Sequence, residues 1–419
     1  MQLDRRDKSA RKGRALEALT KSALALPGLA GLAGPAQADA PTPDWEVDLS
    51  GSWYKEADLS EGQWAEELGG STERYSIQAY QLGVLAPITN QIDASVDLVF
   101  ETMSGATPWY VLPDAGDPEG RPVAAMTGAT IEDTRIDGQF TVNHYFDRGR
   151  LSMSGGFSTE NDYGSGNFGL SAERNYNDKN TTLSGSMSFS WDTVRPTDAV
   201  IHGHEAGAEY DKKTRTVSVS LSQLLTRSSV MQLGYTYKNN VGFLSDPYKD
   251  VYFTLTTSRE NDSRPDVRNQ HTLLLRYRQF LSAPNASLHL DLQGYFDSWD
   301  VRSLGVTTAW YQSLGGPWEL VPSFRYYSQS QALFYAPYFD APNQDYFSSD
   351  YRLSPFGALQ AGIRVAAQLD NLTKWAVWNV SAGYDYYWSS EKFALGNVAV
   401  GNPGLVRWGL LSARISGRF

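Results

Sequence analysis

The chain contains no cysteine among its 419 residues. Disulfide frameworks, thiolate nucleophiles, Cys-based metal sites and covalent c-type haem attachment are therefore all excluded. Nor does any apolar run reach the roughly 18–20 residues of a membrane-spanning helix. If the chain spans a membrane, it must do so as a closed barrel, because only helices and closed barrels satisfy every backbone polar group in lipid. Cations are in deficit, 36 Lys and Arg against 47 Asp and Glu, which argues against nucleic acid as a partner. Aromatics, by contrast, are plentiful, with 24 Tyr, 12 Trp and 17 Phe.

The amino terminus reads as a signal peptide over residues 1–38, leaving 39–419 as one barrel. Arg5, Arg6, Lys8, Arg11, Lys12 and Arg14 form a basic start. Residues 22–34 follow as an apolar stretch broken by Pro27 and glycines, too short to span, and Ala36-Gln37-Ala38 fits a small-residue cleavage site. Asp7 directly after Arg5-Arg6 favours general secretion over a twin-arginine route. Cleavage removes seven cations and three acids, which moves the net charge from −11 to −15. So acidic a surface suits a protein that faces divalent cations and lipopolysaccharide.

A period of two runs through the remainder. Leu183, Gly185, Met187, Phe189 and Trp191 alternate with serines, and Val217, Val219 and Leu221 do the same. Leu288, Leu290, Leu292 and Phe296 alternate with His289, Asp291, Gln293 and Tyr295, and the aromatic-rich stretch 378–388 repeats the pattern. Strands with one apolar and one polar face, ending in aromatics, predict an all-β, antiparallel, aromatic-girdled transmembrane barrel. Short turn-like links near residues 87–90, 147–150, 177–180, 227–229, 282–285, 315–318 and 370–374 alternate with mostly longer ones at 57–73, 103–130, 159–165, 193–212, 241–267, 297–302, 331–352 and 392–403. Seven turns and eight long links require about 16 strands, the first near 45–56 and the last ending at Phe419. Gly417 leaves a gap on the apolar face of that last strand.

Inward-facing candidates are the polar residues whose parity opposes the apolar set: Glu173, Arg276, Arg278, His289, Asp291, Asp297, Arg325, Arg364 and Asp385. Arg276 and Arg278 project to one side of one strand. They fit either a basic ladder that filters ions or an internal salt-bridge network. In the link 193–212, His202, His204 and Glu205 offer a partial transition-metal set; a solvated loop is the plainer reading. Asp58, Glu61, Glu66, Glu67 and Glu73 fit calcium or simple solvation, without an EF-hand loop. The aromatics Phe334, Tyr335, Tyr338, Phe339, Tyr346 and Phe347 fit a sugar platform, a pore seal or a folded loop. No motif isolates a Ser–His–Asp set, so enzymatic activity is not expected, nor is a cofactor.

Several segments carry a family likeness: Met103-Ser104-Gly105-Ala106-Thr107-Pro108-Trp109, Met126-Thr127-Gly128-Ala129-Thr130, Phe157-Ser158-Thr159-Glu160-Asn161-Asp162-Tyr163, Leu244-Ser245-Asp246-Pro247-Tyr248-Lys249 and Ser348-Ser349-Asp350-Tyr351-Arg352-Leu353-Ser354-Pro355-Phe356-Gly357. Over nearly its whole length the chain resembles a family of Gram-negative outer-membrane barrels to which no activity is assigned (a domain of unknown function). The terminal Phe419 also resembles the signal by which such barrels are recognised by the insertion machinery. The resemblance implies the bacterial outer membrane as location, with lipid and lipopolysaccharide as surroundings. It further implies a periplasmic flavin transferase, a thioredoxin-like redox protein and a small lipoprotein as encoded neighbours. Within the quoted segments, Gly105, Gly128, Pro108 and Pro247 suit tight loop geometry, and Asp162, Asp246 and Asp350 suit loop capping or cation binding. Three functions stay open: a porin-like channel for small solutes or ions, which leads; a non-transporting scaffold for periplasmic redox or metal-handling partners; and an outer-membrane hydrolase.

Overall fold

A computed structural model of the chain describes residues 40–117, 119–127, 131–197, 199–200, 203–373 and 375–419. The expected signal peptide, residues 128–130 and His202 lie outside them. Sixteen strands close into one antiparallel barrel. They are β1 (Glu46–Glu56), β2 (Ser76–Pro87), β3 (Ile92–Gly105), β6 (Ile131–Phe146), β7 (Gly149–Thr159), β8 (Tyr163–Tyr176), β9 (Thr181–Val194), β10 (Tyr210–Thr226), β11 (Ser229–Gly242), β14 (Val267–Leu281), β15 (Ala286–Asp297), β16 (Arg302–Gly315), β17 (Trp318–Gln329), β18 (Phe356–Thr373), β19 (Ala376–Ser390) and β20 (Arg407–Arg418). Each pairs with its sequence neighbours in the barrel, and β1 also pairs with β20, Glu46 opposite Arg418 and Glu56 opposite Trp408. That last pairing removes the free sheet edges.

One end carries turns of two to four residues, at 88–91, 147–148, 177–180, 227–228, 282–285, 316–317 and 374–375. The other carries the links 57–75, 106–130, 160–162, 195–209, 243–266, 298–301, 330–355 and 391–406. Strand number and link order are as the alternation predicts. Two hairpins inside the long links have no counterpart in the sequence reading: β4 (Pro108–Pro113) with β5 (Pro122–Met126), and β12 (Asp250–Phe253) with β13 (Ser258–Asn261).

The two faces of the wall differ sharply. Every barrel strand holds at least one large apolar side chain in the open, among them Leu49, Phe140, Met153, Val219, Leu273 and Ile363. Residues of the opposite parity are mostly polar, with a few apolar ones such as Leu274 and Val321 buried among them. Ser218, Ser220 and Ser222 are buried on β10, as are Glu173 and Asn175 on β8.

The terminal strand resolves the gap at Gly417. Phe419 stacks on Trp375 at 5.2 Å and 14° and meets Trp378 edge-on at 5.9 Å. A β-carbon on Gly417 would lie 2.9 Å from the Phe419 ring and 3.0 Å from that of Trp378. Glycine there is the space into which two aromatic rings lean, so the apolar surface is supplied by the neighbours.

At the loop end, three small cores hold the links to one another. Leu59, Ala106, Ala124 and Met126 form one with Trp64; Val251, Phe253 and Phe347 form another with Phe339. The third joins Trp299, Val301, Ala332, Phe334, Tyr335 and Leu353. Phe334, Tyr335 and Phe347 are thus packed inside the cap, as the folded-loop reading has it, and do not stand out as an open platform.

Candidate functional site

Six charged side chains from two links meet at the centre of this cap. Asp246, Lys249, Asp262 and Arg264 come from the link 243–266, and Asp350 and Arg352 from 330–355. Arg352 Nη2 lies 2.5 Å from Asp350 Oδ2 and 2.5 Å from Asp246 Oδ2. Arg264 reaches Asp262 at 2.6 Å and Asp350 at 2.9 Å. Asp350 also accepts the Arg352 backbone N–H at 3.0 Å, which shapes the 3₁₀ turn Tyr351–Leu353. Three carboxylates and three cations balance, the condition under which burial of charge is tolerable.

Burial alone would raise the Asp350 carboxyl, but Arg352, Arg264 and Lys249 outweigh it and hold the group well below the usual carboxylate range. Asp246 is likewise lowered, by Arg352 and Lys249 against burial. Burial pushes the Lys249 ammonium down.

This latch ties together every segment that carries the family likeness. Lys249 Nζ donates to Pro108 O at 2.7 Å. Tyr248 donates its hydroxyl to Asp162, and burial together with that acceptor raises the phenol to about 12. Thr127 and Thr107 exchange two hydrogen bonds, at 3.0 and 3.1 Å. Tyr338 donates to Gly120 O, and Arg259 lies over Trp109 and Tyr110 at 4.3 and 4.8 Å. Asn402 donates to Tyr335 and to Ser349 O, which brings in the link 391–406.

Beneath the link 243–248 lies a cavity of about 850 Å³. Its wall includes Asp192, Lys212, Thr214, Thr216, Lys238, Asn240 and Arg268, with Asp162, Asp246, Arg264 and Arg352 above them. Lys212 lies 3.3 Å from Asp192, and Arg268 lies 2.5 Å from Asp297 and 4.2 Å from the face of the Trp299 ring.

Of the residues singled out by sequence, Arg276, Arg278 and Asp291 come together. Arg278 bonds Asp291 directly, and Arg276 lies 3.8 Å from it and 3.3 Å from Gln232. Two guanidiniums therefore share one carboxylate. Glu173 pairs instead with Arg150 at 3.4 Å. Asp297 caps the link 298–301 by accepting from the backbones of Trp299 and Val301. Arg325 sits over Tyr327, Arg364 over Tyr311, and Asp385 accepts from Gln360. His289 packs against Tyr311, ring centroids 4.1 Å apart and tilted by 32°, with Nε2 3.1 Å from Ser287 Oγ. That is a Ser–His contact, but Asp291 on the same face is engaged by the two arginines.

In the partial metal set, His204 has both ring nitrogens occupied. In the neutral tautomer whose Nε2–H donates to Pro247 O at 3.0 Å, Nδ1 accepts from the Tyr210 hydroxyl at 3.0 Å. Glu205 is exposed. The acids of 57–73 are exposed too and join no convergent carboxylate group among the described residues. The trio that does converge is Asp133, Glu160 and Asp162. Arg135 lies 3.7 Å from Glu160, and burial followed by Asp133 raises the Glu160 carboxyl.

Sequence reasoning missed Lys238, Asp262, Arg264 and Arg268, and it named Asp246 and Asp350 without their cationic partners. Parity alone places Lys238 inward, because Leu233 and Tyr235 face out.

No curated protein matches the chain. Among solved structures it is similar to one described as a bacterial polysaccharide outer membrane secretin, at 10% identity and a TM-score of 0.48, over 90% of this chain and 97% of that one. It is similar to CdiB from Acinetobacter baumannii at 8% identity and a TM-score of 0.48, over 90% and 60% of the two chains. For the outer membrane protein opdK from Pseudomonas aeruginosa the values are 9%, 0.41, 90% and 99%. Residues 16–403 match the family described as "Protein of unknown function (DUF3570)", and the chain belongs to that family.

Proposed function

We propose that the protein is an outer-membrane barrel that passes small polar solutes through a gated lumen. The observation that carries this reading is the polar cavity of about 850 Å³ directly under a cap held by a charge-balanced latch. A cap packed around its own small cores, with two of its links held to each other by ion pairs over a polar wall, has the parts of a two-state element. The location rests on the open apolar side chains around all sixteen strands, which need lipid to cover them. In the usual orientation of such barrels the short turns and both termini face the periplasm, and Phe419 acts as the insertion signal. Docking of a periplasmic redox protein or lipoprotein would have to use turns of two to four residues, a small surface for a stable interface. The channel reading is therefore preferred.

Planar-bilayer recording tests it. Wild-type protein is expected to conduct rarely at neutral pH, and Asp350→Asn, which leaves Arg264 and Arg352 short of their shared carboxylate, should raise the open probability. Protein that is folded by the heat-shift of its gel mobility, yet silent in both forms, would overturn the reading.

A further inference from the structure

The cations that line the cavity are not equally satisfied. Lys212 has Asp192, Arg268 has Asp297, Arg264 has Asp262 and Asp350, and Arg352 has Asp246 and Asp350. Lys238 faces the same space and is open to it; among the described residues it makes no ion pair or hydrogen bond within contact range, and Asp192 acts on it only at longer distance. Its surroundings are matched to a ligand that accepts hydrogen bonds. Thr216 stands directly opposite Lys238 on β10, and Asn240 follows on the same face two residues along β11. Asn240 already uses its carbonyl oxygen, which accepts from Thr214 at 2.9 Å, so its amide N–H groups are what remain for the cavity. Asp192, the nearest acid on this part of the wall, has its oxygens engaged by Ser165 and Ser190 as well as by Lys212.

We infer that Lys238 anchors a binding site for a small oxyanion, a carboxylate or a phosphate. Lys238 Nζ supplies the charge, and the Thr216 hydroxyl and the Asn240 amide supply the flanking donors. Lys212 and Arg268 add positive potential from either side while remaining tied to their own acids. This deepens the solute-passing reading, on which its biological sense rests, by naming the class of solute. A charge-assisted contact in a confined polar cavity is enough to favour such a solute without trapping it.

Calorimetric titration of the folded protein in detergent at low ionic strength, with inorganic phosphate in one arm and succinate in the other, separates the two oxyanion sources. Wild-type protein should bind at least one of them saturably. Lys238→Gln should lose about tenfold or more in affinity, and Lys238→Arg should retain most of it. Lys238 holds no carboxylate, so both variants should keep the wild-type heat-shift of gel mobility. Saturable binding that Lys238→Gln leaves unchanged, or no saturable binding of either anion, would overturn the site. Because this readout needs no conduction, a protein that binds but never conducts would sink the channel reading and leave the site standing.

Discussion

At the scale of single residues, the terminal strand is the clearest case of local chemistry deciding position. Alternation assigns each side chain of β20 to a face, and Leu411 and Ile415 are open on the apolar side as expected. What alternation does not reveal is partnership, because a period of two contains no information about the neighbouring strand. Gly417 looks like a defect in sequence and is a packing site in three dimensions, filled by Phe419 and Trp378. Arg414 is similar: its parity points it inward, but only the closing pair β1–β20 supplies Asp48. The Phe419 ring makes two aromatic contacts, each worth about 0.5–1.5 kcal/mol beyond area burial. Phe419→Ala and Gly417→Leu should therefore each destabilise the folded barrel by about 1–3 kcal/mol. They should be strongly non-additive when combined, because they break the same cluster. Urea titration in detergent checks this; full additivity would mean that the rings and the glycine act separately.

At the scale of elements, strands were legible and the cap was not. Sixteen strands emerge from the sequence because each carries its own period and is bounded by turn residues, as Gly315 and Gly316 with φ of 90° and 59° bound the turn after β16. The cap has no period to read. Its cores draw Leu59 together with Met126, and Phe253 with Phe347, across dozens of residues, and its charges balance only once two links are brought side by side. The family-like segments were the one sequence signal that this region is built to a plan, and they converge on Lys249, Tyr248 and Arg352. Lys249→Met would remove the cation that faces Asp350 and Asp246 and release Pro108. Losing a hydrogen bond from a buried charged group costs about 1.5–3 kcal/mol, so the link 106–130 should become sensitive to protease while the strands stay resistant. The pH dependence follows from the lowered Asp350 and Asp246 carboxyls. A depressed folded-state pKa gives stability that is complete above the unfolded value, near 4, and is lost only as pH falls through the lower folded value. Protease resistance of the cap should be level from about pH 5 to 8 and decline below about 4. A decline centred near pH 6 would assign control to a histidine instead.

At the scale of the whole molecule, what matters is that one wall serves two solvents. The same strand presents Val219 to one side and Ser218 and Ser220 to the other, and neither face alone would define a stable sheet in water. Open apolar side chains on all sixteen strands make lipid or detergent part of the folded state, and the hydrogen-bonded ring from β1 to β20 makes the wall self-contained within it. A sequence with this parity could also have formed a soluble sandwich with its polar face outward. The choice between the two lay in the link lengths and the aromatic strand ends, not in the alternation itself. The two faces should accordingly respond in opposite ways to charge. Val219→Arg places a guanidinium against the acyl chains midway along β10 and should cost about 2–4 kcal/mol. Arg325→Gln, on the inner face where the side chain is open and rests on Tyr327, should change stability by less than about 0.5 kcal/mol. Denaturant titration of both variants refolded into lipid vesicles measures the difference directly. Equal costs at the two positions would mean that lipid does not contact the face carrying Val219, and the assignment of the barrel to a membrane would fail with it.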